Sequence, residues 1–96
     1  MTKIYCITAW SQKNEMLNSV LFMSTKGLVK YIKKQNPIDN KYSIPGEGTY
    51  DISEDNIANA LANRLLHGMA LTIKIKQDYG VILESNYTIS IIMAED

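Results

Sequence analysis

The stretch SEDNIANALANRLLHGMALTIKIK, residues 53–76, changes its apolar period part-way along. Its first half places Ile57, Ala58, Leu61, Ala62 and Leu65 at the three-and-four spacing of one helix face. Ser53 suits the N-cap, and Glu54 and Asp55 fall in the first turn, where negative charge meets unpaired N–H groups. Gly68 suits a left-handed stop after His67. From Met69 the pattern alternates strictly. Met69, Leu71, Ile73 and Ile75 point one way, and Ala70, Thr72, Lys74 and Lys76 the other. A helix followed at once by a strand with one wet face is the signature of an antiparallel sheet covered on one side.

Upstream, KIYCITAW (residues 3–10) and MLNSVLFM (16–23) are rich in β-branched and aromatic types and read as strands. The polar connector Ser11–Glu15 joins them as a hairpin. A helix over about 25–35, capped by Ser24 or Thr25, groups Leu28, Val29 and Ile32 on one face, with Lys26, Lys30, Lys33 and Lys34 nearly opposite. Asn36-Pro37 stops it. Downstream, residues 77–80 read as a turn and VILE (81–84) as a short strand. Glu84-Ser85-Asn86 reads as a break, and YTISIIM (87–93) as the last strand. The order is β-β-α-α-β-(β)-β: one α+β domain over residues 1–96, a mainly antiparallel sheet with two helices packed on one face. Strand order is left open, with the first and last strands as candidate neighbours.

The 96 residues, 46% hydrophobic and 21% charged, match an ordinary single globular domain rather than a disordered chain. Cys6 is the only cysteine, which favours a reducing compartment. The N-terminal stretch lacks a signal peptide's apolar region, and no apolar run approaches bilayer length. The expectation is a soluble, cytoplasmic protein without a membrane partner. Net charge is zero but uneven. Residues 1–41 carry seven lysines against Glu15 and Asp39, an excess of five positive charges. Residues 42–96 carry Arg64, Lys74 and Lys76 against eight acids, an excess of five negative ones.

No constellation meets the demands of a known chemistry. Gly46-x-Gly48 lacks a preceding strand, and the helix after it opens with Glu54 and Asp55, which repel phosphate. Asp51-x-Ser53-x-Asp55 starts like a calcium loop, but Asn56 and Ala62 stand where that loop needs glycine and a bidentate glutamate. His67 is the single histidine and Cys6 the single cysteine, too few for a structural zinc site. Nothing in the spacing joins them as a nucleophile and base. The expectation is a protein with no catalytic residues, metal or cofactor.

Two contact surfaces remain. NPIDNKYSIPGEGTYDI (36–52) shows no regular element and is long for a loop in a compact domain. Its tyrosines, interleaved with charge, carry interface chemistry: large area, few rotors and a polar tip. It reads as a contact loop or as a lid over the core, a short helix or strand being the other option. Tyr42, Glu47, Tyr50 and Asp51, with Glu54 and Asp55 at the start of the following helix, are the candidate partner-binding residues. The expected role is a small binding module of the size of phage- or mobile-element-encoded inhibitors, blocking a larger protein such as a defence nuclease by bulk and charge. The alternative is a nucleic-acid or nucleotide binder using Lys26, Lys30, Lys33 and Lys34. Homodimerisation through a sheet edge or face is a further option.

Overall fold

A computed structural model describes residues 2–64 and 68–95. The described elements are β1 (Thr2–Trp10), β2 (Met16–Phe22), α1 (Thr25–Lys34), β3 (Lys41–Ile44), β4 (Gly48–Asp51), α2 (Glu54–Ala62), β5 (Met69–Lys76) and β6 (Ile82–Ala94). A 3-10 turn, Ile38–Asn40, precedes β3. The strands form one six-stranded antiparallel sheet in the order β2-β1-β6-β5-β3-β4. The architecture is α+β, as the clustering of strand and helix patterns predicts. The first and last strands are neighbours, in register from Thr2 opposite Ala94 to Trp10 opposite Asn86. No helix among the described residues is long and apolar enough to cross a membrane.

Both helices begin where their caps predict. Ser24 and Ser53 are extended, and each side chain accepts from the backbone N–H three residues on, Gly27 and Asn56, at 3.1 Å. Leu28, Val29 and Ile32 of α1 and Ile57, Ala60 and Leu61 of α2 are buried against one face of the sheet. That face contributes Ile7, Leu71, Ile73, Tyr87 and Ile89 to the same core. The buried stripe of α2 is turned from the expected one: Ala60 replaces Ala58 and Ala62, which are half-buried and exposed. Leu65 and His67, with the roles predicted for them, lie outside the described residues. α2 ends at Ala62, before Gly68. Gly68 is left-handed all the same, at φ 70°, and its N–H donates to the Arg64 carbonyl. A Cβ there would sit 2.9 Å from the Ile89 carbonyl oxygen, so the chain can pass this close to β6 only as glycine.

Two expectations are corrected. Residues 36–52 are not an irregular loop; they contain the β3–β4 hairpin, so Gly46-x-Gly48 does follow a strand, but it turns into a second strand and not into a helix. Pro45-Gly46 makes its turn, with Gly46 at φ 80° and the Glu47 N–H donating to the Ile44 carbonyl at 2.9 Å. Asn40 and Ile52 close the base through Ile52 N–H to Asn40 O at 2.9 Å and Asn40 Nδ2 to Ile52 O at 3.3 Å. Nor is the last segment broken at Glu84-Ser85-Asn86. β6 runs unbroken through it, because β5 pairs with these residues on one side and β1 joins at Asn86 on the other. Backbone ladders override the weak strand preference of three polar residues.

Candidate functional site

The β3–β4 hairpin leans over α2 and leaves a cleft of about 310 Å³ between them. Tyr42 and Ile44 form its floor, Glu47 and Tyr50 the hairpin wall, and Asn56, Asn59 and Asn63 the helix wall, with Arg64 at the end. The three asparagines recur at helical spacing and so stand in a row on one side of α2. Each carboxamide carries both donors and an acceptor. Asn56 spends one donor on the Asp51 carbonyl, at 2.9 Å, which ties the helix to the end of β4.

Arg64 closes the cleft. Its Nη1 donates to the Ala60 carbonyl at 2.9 Å, and its Nη2 pairs with Glu47 Oε2 across the opening. Tyr42 is 1% exposed, so it is a core residue that floors the cleft and not a projecting contact. Its ring lies 5.7 Å from that of Tyr50, which is 39% exposed. Burial first, and the nearby Tyr50 second, push the Tyr42 phenol above the usual tyrosine range. Lys41 Nζ meets Asp51 Oδ1 at 2.7 Å on the exposed side of the hairpin, and this bond raises the lysine's pKa.

The six candidate partner-binding residues therefore separate. Tyr42, Glu47 and Tyr50 line one cleft, and Asp51 adjoins it while paired with Lys41. Glu54 faces elsewhere, and Asp55 is exposed on the first turn of α2. Sequence reasoning missed Asn56, Asn59, Asn63 and Arg64; the recurrence of asparagine at 56, 59 and 63 was the available signal.

The four α1 lysines do come together. Lys26, Lys30, Lys33 and Lys34 line a broad, shallow groove of about 670 Å³ between α1 and the start of α2, with Val29 at its base and Glu54 on its rim. Among the described residues no three histidine, cysteine, aspartate or glutamate side chains are placed to share a metal ion. No family model, no curated protein and no solved structure matches this chain.

Proposed function

We propose that this chain is a non-enzymatic binding module that takes a segment of a larger protein into the cleft between the β3–β4 hairpin and α2, and inhibits that protein by occupying it. The observation that carries this reading is the lining. A half-exposed tyrosine faces a row of carboxamides across a cleft whose mouth is held by the Glu47–Arg64 pair. Tyrosine supplies area at low entropic cost, and asparagine pairs with either end of a peptide unit. Charged side chains that answer each other within the protein leave the cleft near neutrality, which suits a polypeptide more than a phosphate chain.

The test is a photo-crosslinking side chain placed at Asn59, with the same group at Lys76 as control. The expected result is a protein adduct from position 59 that Tyr50→Ala abolishes. Adducts from Lys76 alone, or adducts at 59 indifferent to Tyr50, would sink the reading.

A second reading has its own observation: all four α1 lysines open on one groove. Binding of a polyanion there would lose affinity steeply with salt, with a log–log slope near −0.9 per phosphate contacted on duplex DNA. Lys30→Glu is expected to flatten that slope; a salt-independent interaction eliminates the reading.

A further inference from the structure

The helix-free face of the sheet carries a cavity of its own, of about 360 Å³, over β1, β6 and β5. Register builds its floor. Ala70 stands beside Thr88 and Thr72 beside Asn86, while Trp10 stands opposite Asn86 from the other side. The residues that alternate with them, Leu71, Tyr87 and Ile89, belong to the core, so these five side chains point away from the helices. Trp10 is half-buried, and its Nε1 donates to Thr88 Oγ1 at 2.8 Å, which fixes the indole against β6. Alanine at position 70 leaves the space beside it open. Asn14, in the β1–β2 turn, and Pro45, in the turn of the β3–β4 hairpin, complete the lining.

The lining restricts what can enter. It contains no charged side chain, so a phosphate, carboxylate or ammonium would leave water for a site without a counter-charge. The backbone beneath is taken: β6 pairs with β1 and β5 along this stretch, and Thr72 pairs with Ser43 of β3. An extended peptide finds no ladder to join, and recognition falls to side chains. Those side chains are unspent. Asn14, Thr72 and Asn86 make no side-chain hydrogen bond to any described residue, and Thr88 keeps its own hydroxyl proton to give. Every one of them both donates and accepts.

We propose that this cavity binds one neutral pyranose ring, as a free sugar or as the end of a longer glycan. Such a ring has two matching parts. Its C–H groups, weakly positive, suit the negative π face of the Trp10 indole. Its hydroxyls, each a donor and an acceptor, suit the threonines and asparagines. A flat apolar ligand would leave those polar groups unpaired, and a nucleotide brings phosphate that no cation meets. The volume falls in the range of small-ligand sites. The cavity and the hairpin–α2 cleft lie on opposite faces of the sheet, so this inference does not rest on the reading of the cleft.

Trp10 is the single tryptophan of the chain, so its fluorescence reads the site directly. The experiment titrates the full chain, to millimolar concentration, with glucose, galactose, mannose and N-acetylglucosamine, with a linear trisaccharide of each, and with adenosine as a neutral flat competitor. A saturable change in emission is expected with at least one sugar; response to a monosaccharide marks a free sugar, and response to a trisaccharide alone marks a glycan end. Ala70→Leu fills the cavity from an exposed position and is expected to weaken that binding at least about tenfold. Emission that no sugar moves overturns the proposal. So does binding of adenosine in place of every sugar, or sugar affinity that Ala70→Leu leaves intact. The wild-type titration decides the matter should the variant fold poorly.

Discussion

The two ends of the sheet are finished in opposite ways. At the β4 end, three successive rungs of the hairpin each carry a side-chain pair: Lys41 with Asp51, Tyr42 with Tyr50, and Ser43 with Thr49, whose hydroxyls lie 2.9 Å apart. Glu47 and Arg64 then fasten the turn to α2. At the β2 end the strand is longer and uncharged, and its side-chain bonds are few: Ser19 reaches Thr8 at 2.9 Å and Met16 Sδ at 3.8 Å. A short edge whose side chains answer one another offers little to an incoming strand. A long neutral edge leaves its backbone groups and its leucines to be satisfied from outside. The difference leaves the β4 end fastened by side chains and the β2 end with an outer side that no described strand pairs with.

The largest test of this contrast is Tyr42→Ala. Removing a fully buried aromatic ring from beneath the hairpin is expected to cost about 3–5 kcal/mol, a large share of the stability of a domain this size. Denaturant unfolding monitored by circular dichroism measures it. A cost below about 1 kcal/mol would mean that the locked end is not locked by its core residue.

Alkaline titration is the next. The folded-state pKa of Tyr42, and that of Tyr87, are raised mainly by burial. The folded chain therefore holds these protons more tightly than the unfolded chain. The contribution is fully present below the ordinary tyrosine value of about 10 and is lost as pH climbs through the raised values. Stability is expected to fall above that point, and to fall less steeply in Tyr42→Phe. Identical alkaline profiles for the two proteins would remove Tyr42 from the account.

The smallest expected effect is on the other end. Leu21→Lys should change stability by no more than about 0.5 kcal/mol, because the side chain is already largely in water. A larger loss would show that this edge is part of the scaffold, and the contrast between the ends would fail.

The elements with strong local signals were legible before the structure. Ser24 and Ser53 announce their helices through the cap, and β5 announces itself through alternation that eight residues suffice to display. The hairpin was not, because strands of four residues are too short to establish a period. Its clues were the Pro45-Gly46 turn and the mirrored residues around it, Lys-Tyr-Ser before and Thr-Tyr-Asp after. β6 was split at Glu84-Ser85-Asn86 because three polar residues show little strand preference of their own; they are held extended by pairing, Lys74 opposite Glu84 across the β5–β6 hairpin and Trp10 opposite Asn86 from β1. The cleft was half legible. Tyr50 and Glu47 attract notice as loop residues, whereas Asn59 and Asn63 resemble any solvated helix surface until the hairpin is laid across from them.

The pairing of β1 with β6 also governs how the chain acquires its shape. These strands meet across most of the polypeptide, so their ladder closes a very long loop and cannot form early. On the ribosome the first hairpin emerges well before its inner neighbour exists, with both of its sides unpaired. Until β6 arrives, the outer backbone groups of both strands of that hairpin have only water to pair with.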